Sequence, residues 1–169
     1  GALIYARALQ ASGKRGAAEA ELVLAWRTLP MSAAVQAAYL EDYARLLKSH
    51  HKARLDHLLW QGWEENAQRM YPLVNSGWRK LALARLGLRD QVNGVDGLIA
   101  AVPKRLQGDP GLAYERFQWR ARKGRNDSAI ELLLAQSRAN KLGVPAKWAG
   151  WRRALARRPS RVRPGVSSM

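Results

Sequence analysis

The sequence predicts an all-α fold: an antiparallel helix-pair superhelix of about ten helices, a degenerate tetratricopeptide-like α-solenoid. Three observations predict it. Alternating runs of Val, Ile and Thr are nearly absent while Ala, Leu, Arg and Glu dominate. Apolar residues recur at helical spacing almost throughout. Three places show a helix, a Gly, four residues, then an Ala opening the next helix: Gly13 to Ala18, Gly62 to Ala67 and Gly124 to Ala129. Each Gly suits the left-handed backbone that ends a helix, and each Ala suits a close helix crossing. A tetratricopeptide unit has the same internal logic, but these glycines are unevenly spaced, so the expected array is irregular.

The elements follow in order. Leu3, Ile4, Ala8 and Leu9 line one face of a first helix that stops in the Ser12-Gly13-Lys14 turn. A second runs from about Ala17 to Leu29, with Leu22, Leu24, Ala25 and Trp26 inward, and ends at Pro30. Ser32 caps a third carrying Val35, Ala38, Tyr39, Tyr43 and Leu46. Leu55, Leu58, Leu59 and Trp60 lie on a fourth, stopped near Gly62. The next holds Ala67, Met70, Tyr71 and Val74, and Asn75 or Ser76 caps one with Trp78, Leu81, Ala84 and Leu86. Further helices are expected at about 94–106, 110–123, 126–139 and 145–158. Residues 1–158 form the helical domain and 159–169 a disordered basic tail.

With 169 residues, 47% of them hydrophobic, the chain is long enough to bury one core, and no apolar run reaches the roughly 18 residues of a membrane span. The absence of Cys removes disulfides, thiolate zinc sites and cysteine nucleophiles. The net charge is +16 and uneven: residues 1–100 carry a net +4 and residues 101–169 a net +12. Six arginines between 152 and 163 meet no acid. Such a balance points to a polyanionic partner, to a solvated face, or to a stub that touches further chain. The opening on Gly1 without a signal peptide reads as a processed or excised piece.

Catalytic and ligand motifs are sparse. His50, His51 and His57 are the three histidines, with no HExxH pair to hold zinc. Glu41-Asp42 and Glu64-Glu65 are sequence neighbours, which diverge on a helix, and the second pair offsets a helix dipole. Gly13-Lys14-Arg15-Gly16 lacks the spacing and the preceding strand of a phosphate loop. No nucleophile elbow accompanies the serines. No catalytic, metal or cofactor residue is therefore assigned. Trp26, Trp60, Trp119 and Trp148 sit in apolar runs and read as core, whereas Trp63 and Trp151 read as exposed. Exposed Trp beside Arg can stack on sugar rings or nucleobases. The candidate polyanion contacts are Trp63, Arg120, Arg122, Lys123, Arg125, Trp151, Arg152 and Arg153.

Two stretches carry more than composition. One is Arg54-Leu55-Asp56-His57-Leu58-Leu59-Trp60-Gln61-Gly62 with Ala67, Gln68, Arg69, Met70 and Leu73 following. The other runs from Asp109-Pro110-Gly111-Leu112-Ala113-Tyr114-Glu115 through Trp119 and Gly124 to Ala129. Together with Val95-Asp96-Gly97-Leu98-Ile99-Ala100-Ala101-Val102-Pro103, they resemble the N-terminal helical region of the soluble lytic murein transglycosylases over most of 1–158.

That resemblance implies a periplasmic setting and a U- or ring-shaped helical scaffold for an enzyme that cleaves peptidoglycan strands, leaving 1,6-anhydro sugars. In that family a separate lysozyme-like domain supplies one catalytic Glu in a Glu-Ser motif. None of the seven glutamates here precedes a Ser. The chain is thus expected to be a non-catalytic scaffold with peptidoglycan as partner, no specific nucleic-acid partner and no activity of its own. Residues 159–169 depart from the family pattern, as a truncation or altered reading frame would. Two rivals stand beside this reading: a basic helical repeat that binds nucleic acid, and a solenoid that holds a protein partner.

Overall fold

The computed structural model describes residues 1–157, and among them every regular element is helical. The α-helices are α1 (Ala2–Ala11), α2 (Arg15–Thr28), α3 (Ala33–Leu47), α4 (His51–Gln61), α5 (Glu64–Arg69), α6 (Ser76–Arg89), α7 (Val95–Ala101), α8 (Pro110–Arg122), α9 (Asn126–Arg138) and α10 (Pro145–Ala156). Short 3₁₀ turns occupy Lys48–His50, Tyr71–Leu73 and Lys104–Leu106. The expected tail at 159–169 lies outside the described residues.

The three Gly junctions share one geometry. Gly13, Gly62 and Gly124 take φ +78°, +74° and +74°. In each, the residue after the glycine donates its N–H back to a carbonyl five residues earlier: Lys14 to Leu9, Trp63 to Leu58, Arg125 to Arg120. The glycine itself donates to Gln10, Leu59 or Ala121. Both bonds consume carbonyls that a helix end leaves without partners. Each following Ala (Ala18, Ala67, Ala129) is buried to 2% exposure or less, where the paired helices cross.

Other boundaries follow the local chemistry. The Ser32 hydroxyl accepts from Val35 N–H, Asn75 Oδ1 from Trp78 N–H, and the Asp109 carboxylate from Leu112 N–H, each capping a helix. Two elements end earlier than periodicity predicts. The helix expected through Val74 stops at Arg69, because Pro72 has no N–H to continue the ladder and a 3₁₀ turn replaces it. The helix expected over 94–106 stops at Ala101, because Pro103 forces Val102 into extended backbone. The last helix spans Pro145–Ala156, and its expected end at 158 lies outside the described residues.

Several inward assignments are corrected. Ile4 is 70% exposed, Leu24 58% and Val35 44%, and Ala8 is also exposed. α1 buries Ala6 instead, and α2 buries Ala18, Leu22, Ala25 and Trp26. The small residues let these two helices approach closely, so the larger Ile4 and Leu24 fall outside the crossing.

Helices α2, α4, α6 and α8 pack in succession, with α1 and α3 on α2, α5 on α4, α7 on α6 and α9 on α8. Three apolar clusters fill this row. Trp26, Leu47, Leu58 and Met70 belong to the first, Leu81, Leu88 and Leu112 to the second, and Trp60, Phe117 and Trp148 to the third. α10 docks through Trp148, whose ring lies 5.1 Å from both Tyr114 and Phe117.

Buried charges cross the row. Arg54, fully buried, lies 4.7 Å from the Trp26 ring centroid and donates to the carbonyls of Trp26 and Leu29 at the end of α2. These partners replace a carboxylate, and burial pushes its pKa down to about 10. Arg85, also buried, bridges Asp56 at 2.6 Å and Asp109 at 3.5 Å and lies over the Trp60 ring. Arg89 pairs with Glu115, which is 2% exposed. Gly111 leaves room for Arg85, since a Cβ there would overlap the guanidinium.

His51 gives the first core a pH dependence. Its ring lies 5.4 Å from that of Trp26, and burial, then His50 and Arg54, hold its pKa below the ordinary 6.5. A histidine kept neutral in the folded state takes up a proton more readily when unfolded. Its contribution is therefore present above pH 6.5 and is lost as pH falls from there through the folded value. Thermal melts from pH 7.5 to 5 are expected to show falling stability, with a shallower slope in His51→Phe.

Candidate functional site

The most basic built feature is the turn between α8 and α9. Residues 116–126 hold five cations (Arg116, Arg120, Arg122, Lys123, Arg125) and no acid. The Gly124 turn folds this run back on itself, so cations before and after the glycine share one end of the hairpin. Their mutual field is visible at Arg120, whose pKa is lowered by burial first and then by Arg116, with Arg125 adding to it; Glu131 opposes them. Asp127 sits in the first turn of α9, where it offsets the helix dipole.

Not all of these cations are free to bind. Arg120 donates to the Ser128 carbonyl at 3.1 Å and so ties α8 to α9. Arg122 donates to Gln118 Oε1 at 2.8 Å and to the Arg89 carbonyl at 3.0 Å. Lys123 and Arg125 are exposed, and both face Trp119: the Lys123 ammonium stands 5.7 Å and the Arg125 guanidinium 5.0 Å from its ring centroid. The ring draws both cations to one place, and the cations keep the polar surroundings of a half-buried Trp.

Trp26, Trp60 and Trp148 are buried as expected, and three other assignments are corrected. Trp119, expected in the core, is half-buried at the cationic turn, packed on the second apolar cluster. Trp63, expected to be open, is half-buried against the first cluster, its ring centroid 6.0 Å from that of His57 in a T-shaped pair. Trp151 is also half-buried, perpendicular to Phe117 at 5.4 Å. Arg152 and Arg153 are exposed on α10, a different element from the α8–α9 cluster.

The sequence signal for Trp119 was its spacing: Lys123 lies four residues on, at helical register, and Arg125 follows two residues later, past the Gly124 turn. The carboxylates of the charge network offer no acid–base pair. Asp56, Asp109 and Glu115 are each held by an arginine, and burial raises the Asp109 pKa against the pull of Arg85. Among the described residues, no group of three metal-ligating side chains converges and no helix is long and apolar enough to cross a membrane. No family model, curated protein or solved structure matches the chain.

Gly124→Ala probes the turn itself. An added Cβ meets nothing, so the cost is that of a left-handed backbone in a residue with a Cβ, about 1–2 kcal/mol. Urea denaturation is expected to show that loss, with the helical circular dichroism retained.

Proposed function

We propose that the chain is the non-catalytic scaffold region of a soluble lytic murein transglycosylase-like protein, a helix-pair superhelix whose basic end meets acidic murein. The observation that carries the binding part is the cationic turn: Lys123 and Arg125 exposed over Trp119, within a run of five cations free of acid. Clustered cations attract a polymer of carboxylates at long range, and salt weakens that attraction. The superhelix part is supported by the row α2–α4–α6–α8 with flanking partners, and by three junctions of one geometry.

The residues behind the family resemblance act as structure in this reading. Arg54 and Asp56 come from the first stretch, Asp109, Gly111 and Glu115 from the second, and all five belong to the buried charge network or make room for it. None is placed to cleave a glycan. A periplasmic setting follows from the same reading.

Incubation of the pure protein with murein sacculi tests both parts. Retention at low salt that fades as salt rises, with no release of anhydro-muropeptides, is expected. Absent low-salt retention removes the binding part, and released anhydro-muropeptides overturn the non-catalytic part. The cations flanking Trp119 also suit stacked nucleobases. Binding to single-stranded nucleic acid that survives physiological salt would favour that second reading.

A further inference from the structure

A second basic site stands apart from the α8–α9 turn. At the junction of α3 and α4, Arg45, Lys48 and Lys52 line an open groove of about 510 Å³. They recur with Ser49 at spacings of three and four residues, which sets them along one stripe of the helical path. Across the groove the 3₁₀ turn at Tyr71–Leu73 and its continuation supply Leu73, Val74 and Asn75. No carboxylate lines the groove.

Its lining is more than a solvated stripe. His51 also lines the groove, is 8% exposed, and leaves Nδ1 without a hydrogen-bond partner among the described residues. Asn75 Oδ1 is committed to Trp78 N–H, so its amide nitrogen is the group left to donate, beside the Ser49 hydroxyl. Leu73 and Val74 give one apolar side.

We propose that this groove binds a phosphorylated small molecule, with at least two negative charges on a sugar-sized body. Arg45, Lys48 and Lys52 meet the phosphate, Ser49 and Asn75 donate hydrogen bonds, and the body rests on Leu73 and Val74. The charges select against neutral sugars, and the apolar side selects an ester over the free ion. This site is independent of the murein reading and stands or falls separately from it.

The test is amide NMR of the full chain at fixed ionic strength, titrated with glucose 6-phosphate, inorganic phosphate and glucose. Glucose 6-phosphate is expected to give saturable shifts at Ser49, Lys52 and Asn75 with a dissociation constant below about 1 mM. Inorganic phosphate should bind the same residues more weakly, and glucose should not bind. Lys48→Glu with Lys52→Glu, both exposed, should weaken the ester at least about tenfold while the spectrum stays folded. Absence of saturable shifts, unchanged affinity in the double variant, equal binding of inorganic phosphate or of glucose, or shifts confined to the α8–α9 turn would each overturn the proposal.

Discussion

Replacing Arg85 by Met is expected to destabilise the protein by about 3–5 kcal/mol, the usual cost of leaving a buried charge without its partner. In a chain of this size that corresponds to a fall in Tm on the order of 10 °C. Arg85 is 2% exposed and holds two carboxylates, Asp56 on α4 and Asp109 at the cap of α8. Methionine fills much of the space beside Trp60 but leaves Asp109, with a side chain 12% exposed, facing Asp56 without a cation between them. The variant Arg85→Met with Asp109→Asn should recover part of the loss, because the remaining buried charge is removed while the asparagine still caps α8. Equal stability of Arg85→Met and wild type would show that the bridge does not hold the helix row together.

Charge reversal at the turn carries the second large effect. Lys123→Glu with Arg125→Glu changes the local charge by four units at two exposed positions that make no ion pair among the described residues. Low-salt retention on murein is expected to fall by at least about thirtyfold, since each of the two reversed contacts at the surface is worth on the order of 1 kcal/mol or more. Stability should change little, and melting curves check that point. The same reversal at Arg152 and Arg153 is expected to cost less, because among the described residues no aromatic ring lies under either guanidinium. Sedimentation of each variant with sacculi across a salt series separates the two outcomes.

The helix boundaries were legible where a residue type forces the backbone. Gly13, Gly62 and Gly124, Ser32 and Asn75 all mark ends in the places their chemistry requires. Boundaries failed at Pro72 and Pro103, where apolar periodicity continues past a residue that cannot continue the helix. Faces failed in α1, α2 and α3. Helices of Ala and Leu are apolar on more than one side, and only the packed partner decides which side is buried. The small crossing residues Ala6 and Ala18 won over Ile4 and Leu24.

The site was legible as a charge run but not as a geometry. Composition finds the cations of 116–125, yet cannot tell Arg120 and Arg122, which donate to carbonyls, from Lys123 and Arg125, which face the Trp119 ring. The arginines of the charge network were invisible for a different reason. Their partners arrive from elsewhere in the chain: Asp56 for Arg85, Glu115 for Arg89, and the carbonyls of Trp26 and Leu29 for Arg54. An Arg inside an apolar run, with a Gly set against it as Gly111 is against Arg85, is the signal that would have found them.

The central claim, a scaffold that meets murein at the α8–α9 turn, is tested most directly by amide and indole NMR with soluble murein glycan fragments. The account predicts salt-sensitive shifts at Lys123, Gly124 and Arg125 and at the Trp119 indole N–H, absent in the Lys123→Glu, Arg125→Glu variant. Shifts located on other elements, or no shifts at low salt, would contradict it.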